Sequence, residues 1–228
     1  MSPEATDFLY PFIEGDEHDS APLLVDLAAS ARAKEAQSRA LCIATLDRDA
    51  EMIEAVAGAM AERFQAGGQL FCFGNGGSST DAWTVASLYS RPPTGTALPA
   101  RSLVADQAVL TALGNDVGFE LVFSRQLIAH GRPVDIAMGL STSGSSANLL
   151  KAFSHAHARG LLTVGVAGYD GGQMAVSPDV DHCLVVRSES VHRVQEVQAA
   201  LAVEVWARVQ RAMGDTPPTP APDHERSS

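Results

Sequence analysis

Two stretches of similar design constrain the fold of this 228-residue chain more than any other feature. Residues 70–82 read LFCFGNGGSSTDA, and residues 136–148 read IAMGLSTSGSSAN. In each, a short apolar run breaks into Gly, Ser, Thr and Asn and then continues with helical spacing, which is typical of a strand-to-helix turn around an anion. Two such turns predict a parallel α/β sheet that binds one phosphate-bearing ligand.

Strands and helices alternate along the rest of the chain. Two helices precede the first strand: one begins near Leu23, and one follows Asp49 as its cap and ends at Gly67-Gly68. The five predicted strands cover residues 69–73, 100–104, 135–140, 161–167 and 181–186. The helical segments between and after them are 81–90, 108–113, 119–130, 146–159, a short piece from 173, and 190–213. This alternation predicts a parallel sheet with helices on both faces.

The formal net charge of -11 lies mostly in the two ends of the sequence. Residues 1–20 contribute -6 and residues 214–228 contribute -2, which leaves -3 for the body. We predict an acidic N-terminal arm at 1–20, a single domain at 21–213 that includes the N-terminal helices, and a disordered Pro-rich tail at 214–228. No basic stripe follows the chain, so direct nucleic-acid binding is not expected.

The cysteines and the apolar runs indicate a cellular location. Cys42, Cys72 and Cys183 are widely spaced within apolar patterns, which favours buried free thiols over a disulfide or a metal site. The start of the sequence lacks the pattern of a signal peptide, and no apolar run approaches the ~18 residues of a membrane span. A cytoplasmic protein without a membrane segment is expected.

The first turn, residues 74–78 (GNGGS), combines backbone freedom with polar side chains. Its glycines allow positive φ and close approach of an anion, while Asn75 and Ser78 offer hydrogen bonds beside a helix N-terminus. A glycine turn needed only for tight strand-to-helix packing remains the alternative. The motif is neither a GxGxxG fingerprint nor a P-loop.

The second turn, residues 141–146 (STSGSS), indicates phosphate more strongly. It places five hydroxyl groups within six residues, directly after a buried strand and before a helix. A solvent-exposed loop more often includes charged residues, and an N-cap role for Ser146 explains only one of the hydroxyls. Both turns lie at carboxyl ends of strands, where open parallel sheets bind ligands.

Together these motifs resemble the SIS (sugar isomerase) domain, in its sedoheptulose 7-phosphate isomerase branch, which includes the DnaA initiator-associating protein. The resemblance covers roughly residues 52–213, and its five matching pieces occur in order: FCFGNGGSSTDA, LTALGNDVGFELVFSRQL, LSTSGSSANLLKA, GYDGGQMA and RVQEVQ. It implies an SIS-type sandwich with a five-stranded parallel sheet, preceded by N-terminal helices, and a homotetramer whose pockets are shared between subunits. The phosphate- and sugar-binding residues that it implies or that the turns supply are Asn75, Gly76, Gly77, Ser78, Asp116, Ser141, Thr142, Ser143, Ser146 and Gln195.

The chain departs from the family at the catalytic positions. The resemblance implies a His and a Glu on the helix after GNGGS, and a Gln and a His on the closing helix, as a divalent-metal and acid/base site that often holds zinc. Here these positions read Thr84, Leu88, Gln195 and Val203, with Ser87 replacing Leu88 if one residue is deleted. Neither Leu nor Val binds zinc or transfers a proton.

Other polar residues of the closing helix are candidates to replace the missing groups. Catalytic candidates are His192, Gln195 and Glu196, although Glu196 and Glu204 are each rotated by about 100° from the matched positions. His192 also fits a capping or surface role, Glu196 fits a structural one at a subunit interface, and Glu204 fits that of a solvated or salt-bridged helix residue. His155 and His157, near a helix C-terminus, are predicted to be structural, and Trp83 is assigned to the core or an interface. Asp116 either fixes the loop below the pocket or caps the following helix.

Two functions follow from these residues. The first is a non-catalytic phosphosugar-binding or regulatory tetramer without metal, with a protein partner such as a replication initiator. The alternative is an aldose-ketose isomerase acting on sedoheptulose 7-phosphate or a related sugar phosphate, which alone would use zinc.

Overall fold

The computed structural model describes residues 21–214. The predicted acidic arm at 1–20 and nearly all of the predicted tail at 214–228 lie outside the described residues. The elements in chain order are α1 (Ala21–Arg48), α2 (Ala50–Gln65), β1 (Leu70–Gly74), α3 (Gly77–Ser90), β2 (Ala100–Ser102), α4 (Gln107–Asp116), α5 (Val122–His130), β3 (Ile136–Ser141), α6 (Ala147–Ala158), β4 (Leu162–Gly168), β5 (His182–Val186) and α7 (Val191–Ala212). Short 3-10 turns at Phe119–Leu121 and Met174–Val176 complete the pattern.

The five strands form one parallel sheet in the order β2-β1-β3-β4-β5. This confirms the predicted fold class. The central strands β1, β3 and β4 are buried at every position, because helices cover both faces. In the register of the sheet, Gly74 at the end of β1 pairs with Leu140 near the end of β3. The residues that follow these two strands therefore leave the sheet side by side.

Two apolar clusters lie on opposite faces of the sheet. The larger one joins α2, α3 and α7 to one face and includes Ile53, Met60, Tyr89, Leu140 and Val205. The smaller one joins α5 and α6 to the other face and centres on Phe73, Phe123 and Phe153, whose rings lie 5.3–5.4 Å apart between centroids. Helices α3 and α6, which follow the two polar turns, consequently approach the same edge of the sheet from opposite faces.

Three local predictions differ from the structure. Helix α3 begins at Gly77, four residues earlier than predicted, so the last residues of the GNGGS turn are already helical. Gly114 does not end α4, which continues to Asp116. Asp49 stands at the N-cap of α2, but its carboxylate pairs with Arg48 at 2.6 Å and caps no backbone N–H.

A buried carboxylate ties the strands together at the edge opposite the polar turns. Asp135 is fully buried and accepts hydrogen bonds from the Gln69 N–H at 3.0 Å and the Arg132 N–H at 2.8 Å. The Arg132 guanidinium contacts the same carboxylate at 2.9 Å and the Gly67 carbonyl at 2.8 Å. These bonds join the starts of β1 and β3, which fixes the register that brings the two turns together.

The chain divides into two compact units, residues 1–40 and residues 41–228. Within the described residues the first unit consists of the beginning of α1, on which Leu24, Val25 and Leu27 are exposed. A single domain starting at residue 21 therefore stays a prediction.

The three cysteines carry free thiols. Cys42, Cys72 and Cys183 are free; Cys72 is fully buried, and burial raises the pKa of Cys183 to about 11.

Of the helices within residues 21–214, none has both the length and the apolar character required to cross a membrane.

Candidate functional site

The two polar turns meet at the point where the strand order reverses. From β1 the chain crosses to β2 on one side, whereas from β3 it continues to β4 and β5 on the other. The connections leaving β1 and β3 therefore separate and open a crevice at the carboxyl edge of the sheet. Both polar turns border this crevice, as the sequence predicted from their positions after the strands.

Two glycines of the first turn have different structural reasons: Gly76 has a positive φ, and Gly74 is closely packed. Gly76 has φ +53° and directly precedes α3. A Cβ at Gly74 would lie 2.5 Å from the Ser78 carbonyl oxygen and 2.9 Å from that of Leu140. Ser78 is buried in the first turn of α3, and the Ser79 hydroxyl donates to the Gly76 carbonyl at 2.6 Å. Close packing thus explains Gly74, while Gly76 leaves the N-terminus of α3 open at the crevice.

The second turn gathers hydroxyl groups around Ser141. The Ser141 Oγ lies 3.4 Å from the Ser143 Oγ and 3.5 Å from the Ser146 Oγ, and it accepts the Gly144 N–H at 3.1 Å. Ser146 stands at the N-cap of α6, but its side chain makes no cap hydrogen bond. An N-cap role therefore does not occupy this hydroxyl, which is directed toward the cluster. We call residues 141–146 the hydroxyl turn.

The loop after β4 supports the hydroxyl turn from behind. The Gly168 N–H donates to the Thr142 carbonyl at 3.0 Å, and the Met174 N–H donates to the Gly144 carbonyl at 2.8 Å. Gly144 has φ +60°, and a Cβ there would collide with the backbone of Gly171. Tyr169, in the same loop, is the one non-glycine residue with positive φ among the described residues. Tight backbone contact thus fixes the position of the hydroxyl turn.

A pair of side-chain amides joins the two turns across the crevice. The Asn75 Nδ2 donates to the Asn148 Oδ1 at 2.8 Å, and the Asn148 Nδ2 donates to the Asn75 Oδ1 at 2.9 Å. Asn148 is 3% exposed. The sequence predicted a ligand contact for Asn75 but assigned no role to Asn148. The pair holds the GNGGS turn and the start of α6 at a fixed separation.

Gln195 contacts the first turn from α7. The Gln195 amide packs against Gly77, where an added Cβ would lie 3.3 Å from the Gln195 side-chain carbonyl carbon. The Gln195 Nε2 also donates to the Asp81 Oδ2 at 3.5 Å. One helical turn further, the fully buried Gln198 donates to the Ser141 carbonyl at 3.4 Å and the Val166 carbonyl at 3.2 Å. Helix α7 therefore contacts both turns through glutamines.

Three of the four positions that the family resemblance assigns to the metal and acid/base site, those of Thr84, Leu88 and Val203, line one apolar cavity between α3 and α7. We call it the α3–α7 pocket. Its volume is about 90 Å³, and its lining consists of Asp81, Thr84, Val85, Leu88, Leu140, Ala199, Ala202 and Val203. Asp81 is the single ionisable residue in this lining. Burial raises the pKa of Asp81 above its ordinary value, and the hydrogen bond from Gln195 opposes this shift.

These residues do not fit a zinc ion. Leu88 and Val203 carry no donor atom, and the Thr84 hydroxyl donates to the Thr80 carbonyl at 2.9 Å. Protein zinc sites use Cys, His and carboxylate ligands in sets of three or four. Among the described residues no group of three or more such side chains is placed to hold a metal ion. Ser87, the alternative to Leu88, is not part of the pocket lining.

The remaining candidates lie apart from the pocket lining. His192 is exposed at the start of α7, and Glu196 pairs with Arg193 at 2.8 Å. Glu204 pairs with Arg208, and His157 pairs with Asp181, which supports the structural roles predicted for Glu204 and His157.

The structure excludes one of the two alternatives predicted for Asp116 and one of the two predicted for Trp83. Asp116 is the last residue of α4 and accepts a hydrogen bond from Asn115, so it does not cap the following helix. Trp83 is 50% exposed, so it is not a core residue.

Asp81, Asn148 and Gln198 are the polar residues of the site that the sequence left unassigned. Asp81 occurs within the quoted FGNGGSSTDA motif, and Asn148 directly follows the hydroxyl turn as SAN. Their positions near the start of a helix after a polar loop were the available signal. The sequence held no such signal for Gln198, because a Gln on an amphipathic helix is usually solvated.

Neither turn contains a charged side chain. An anion bound there would be held by hydroxyl groups, backbone N–H groups and the N-termini of α3 and α6. The fold and these turns define a doubly wound α/β protein with a crevice lined by uncharged hydrogen-bonding groups at its switch point.

Comparison with known proteins identifies the family. Residues 25–168 match the SIS domain. The phosphoheptose isomerase of Roseiflexus sp. (strain RS-1) is 42% identical over 173 residues, which are 74% of this chain and 86% of the relative. That of Chlorobaculum tepidum is 41% identical over 194 residues, 81% of this chain and 86% of the relative. The solved phosphoheptose isomerase of Neisseria gonorrhoeae matches with a TM-score of 0.73 at 32% identity, covering 81% of this chain and 99% of that one. The chain belongs to the SIS-domain family, in its phosphoheptose isomerase branch, as the motifs predicted.

Proposed function

We propose that this chain is a sugar-phosphate-binding SIS protein that does not catalyse isomerisation. The hydroxyl turn and the N-termini of α3 and α6 supply the phosphate site, in which Ser141, Thr142, Ser143 and Ser146 contact the phosphate. Asn75 and the glycines of the first turn, with Ser78 and Gln195, border the sugar. Asp116, at the end of α4, matches the family motif, and its role in this proposal is to position the loop that follows it.

The apolar lining of the α3–α7 pocket carries the proposal. An aldose-ketose isomerase must remove a proton from one carbon and deliver it to the next, which requires an acid/base group beside the substrate. The family resemblance places that chemistry at Thr84, Leu88 and Val203, and none of these side chains transfers a proton at neutral pH. A retained phosphate site with an apolar catalytic position supports binding without turnover.

The experiment is a paired measurement of binding and turnover with sedoheptulose 7-phosphate. Isothermal titration calorimetry on the full chain is expected to detect binding that the Ser141→Ala/Ser143→Ala variant weakens by at least about tenfold, because two hydroxyl contacts to the phosphate are lost. Incubation in D2O is expected to leave C2 of the sugar free of deuterium. Binding that is unaffected by the double variant would contradict the assignment of the phosphate site.

The pKa of Asp81 favours a second candidate, the isomerase reaction. Because burial raises this pKa, Asp81 holds its proton more readily than an exposed carboxyl, and it faces the pocket beside Gln195. In this alternative Asp81 carries the proton between C1 and C2, and zinc is recruited only if His192 and Glu196 also reach the ligand. Deuterium incorporation that disappears in the Asp81→Asn variant would establish it.

The proposal includes an oligomeric state and a protein partner. We expect a homotetramer, as the family resemblance implies, and a protein partner such as a replication initiator. Multi-angle light scattering measures the first: a mass near four times 23.9 kDa supports the tetramer, and a monomer contradicts it. Retention of the purified host initiator on the immobilised full chain tests the second, and no retention with or without sugar phosphate argues against it.

A further inference from the structure

A crevice larger than the α3–α7 pocket lies between the first turn and α4, and we call it the α4 crevice. Its lining includes Asn75 and Gly76 of the turn, Ser79 of α3, Gln107 at the start of α4, and Phe119 of the short turn after α4. Its volume is about 310 Å³, against about 90 Å³ for the α3–α7 pocket. Ligand pockets usually enclose about 300 Å³ or more. Of these two cavities, the α4 crevice is therefore the one with room for the carbon chain of a sugar phosphate.

Asn75 connects the α4 crevice to the phosphate site. It lines the crevice, and its amide exchanges two hydrogen bonds with Asn148, of 2.8 and 2.9 Å. Asn148 is the second residue of α6 and follows Ser146 of the hydroxyl turn by two positions. A ligand whose phosphate occupies the hydroxyl turn therefore meets the crevice across a single pair of side chains.

The lining of the α4 crevice offers both kinds of contact that a sugar makes. Asn75 uses one amide hydrogen and one oxygen lone pair in its pair with Asn148, which leaves a second donor and a second acceptor. The Ser79 hydroxyl donates to the Gly76 carbonyl and keeps its lone pairs for a donor from the ligand. Phe119 is 62% exposed, and its ring supplies an apolar surface for the C–H groups of the sugar.

Gln107 is the lining residue whose polar side chain has no other task. It is the first residue of α4 and is exposed, and its backbone carbonyl accepts the Thr111 hydroxyl at 2.7 Å. Within residues 21–214 its side-chain amide has no hydrogen-bond partner. A primary amide both donates and accepts hydrogen bonds, which matches the neighbouring hydroxyl groups of a sugar chain.

We propose that Gln107 is a specificity-determining residue, whose side-chain amide binds hydroxyl groups of the sugar chain in the α4 crevice while the phosphate occupies the hydroxyl turn. This assignment rests on the proposed function, since it requires the phosphate site. The linings of the α4 crevice and the α3–α7 pocket share no residue, so a chain held in the crevice is kept away from Asp81. The assignment thus agrees with binding that leads to no proton transfer.

The experiment compares Gln107→Leu with Gln65→Leu by titration calorimetry of the full chain with sedoheptulose 7-phosphate and with inorganic phosphate. Gln65, at the end of α2, is also an exposed helical glutamine, and it is not part of the crevice lining. Gln107→Leu is expected to lower the affinity for the sugar phosphate by about tenfold, because two hydrogen bonds are lost, and to leave the affinity for inorganic phosphate unchanged. Gln65→Leu is expected to change neither affinity, and thermal unfolding shows whether both variants are folded.

The outcomes separate this inference from the proposed function. Equal affinities of Gln107→Leu and Gln65→Leu for the sugar phosphate overturn the role of Gln107 and leave the phosphate site in place. An equal loss for inorganic phosphate in Gln107→Leu also overturns it, because the residue would then act through the phosphate site. A larger loss of sugar-phosphate affinity in Asp81→Asn than in Gln107→Leu assigns the carbon chain to the α3–α7 pocket and overturns it as well. Failure of both compounds to bind the unchanged protein contradicts the inference and the proposed function together.

Discussion

Replacing Gly144 by Ala is expected to disable the phosphate site through a collision of two backbone segments. Gly144 has φ +60°, and an added Cβ would lie 2.6 Å from the Gly171 carbonyl carbon and closer still to its oxygen. Ordinary contacts begin at 3.4 Å, so the hydroxyl turn and the loop behind it must separate by at least 0.8 Å, the difference between these distances. That movement strains two hydrogen bonds. The Gly144 N–H donates to the Ser141 Oγ at 3.1 Å, and the Met174 N–H donates to the Gly144 carbonyl at 2.8 Å.

Gly67→Ala provides a control with the same backbone cost and no collision. Gly67 has φ +78°, and nothing lies within 4 Å of a Cβ placed there. Each variant pays about 1–2 kcal/mol for a left-handed Ala, partly offset by the lower entropy of its unfolded chain. Gly144→Ala loses two hydrogen bonds in addition, which adds about 1–3 kcal/mol to its destabilisation.

The two variants are compared by urea unfolding and by calorimetric titration with inorganic phosphate. Gly144→Ala is expected to have the lower free energy of unfolding by about 1–3 kcal/mol and to bind phosphate at least about tenfold more weakly than Gly67→Ala, because the Ser141 hydroxyl is displaced. If both variants bind phosphate as the unchanged protein does, the hydroxyl turn does not hold the anion and the reasoning is refuted.

Four further predictions concern the sheet, the metal positions, pH and salt. Asp135→Asn is expected to lower the free energy of unfolding by about 2–4 kcal/mol in urea titrations, because a buried carboxylate with several donors is lost, and an unchanged value would contradict this. The Thr84→His/Leu88→Glu/Val203→His variant is expected to bind one zinc ion per chain by mass spectrometry of the metal content, since these side chains would face one pocket; a metal-free variant would count against the shared location. Burial raises the pKa of Asp81, so the charged carboxylate destabilises the folded state. Asp81→Asn is therefore expected to have a higher free energy of unfolding than the unchanged protein above about pH 4. Below that pH the difference should vanish, because the carboxyl is protonated in both the folded and the unfolded state. Phosphate affinity is expected to change by less than about threefold between 50 and 300 mM NaCl, because no charged side chain lies in either turn; a steep decrease would indicate a cationic contact.

The sequence predicts most of this fold because its signals are local and strong. The two polar turns, the buried strands and the amphipathic α7 each lie within a few residues of their predicted bounds. The errors occur at helix ends, whose positions and caps are the least certain part of a prediction from sequence. Gly114 is a helix breaker by propensity, yet it lies inside α4, and Asp49 pairs with Arg48 although it stands at a cap position.

The site is predicted less completely than the fold. The hydroxyl turn is visible in the sequence because its residues are contiguous. The Asn75–Asn148 pair joins residues 73 positions apart, and the Gln195–Asp81 contact joins residues 114 positions apart. No periodicity encodes such pairs, since they depend on the strand order that brings β1, β3 and α7 together.

Solvent deuterium exchange with sedoheptulose 7-phosphate tests the central claim most directly. The full chain is mixed with this sugar phosphate in D2O, at a concentration at which calorimetry shows the site to be occupied, and C2 is followed by NMR. Binding without transfer of deuterium to C2 is the predicted result, because Thr84, Leu88 and Val203 provide no proton-transferring group in the α3–α7 pocket. Deuterium appearing at C2 within seconds, and abolished by Asp81→Asn, would contradict it.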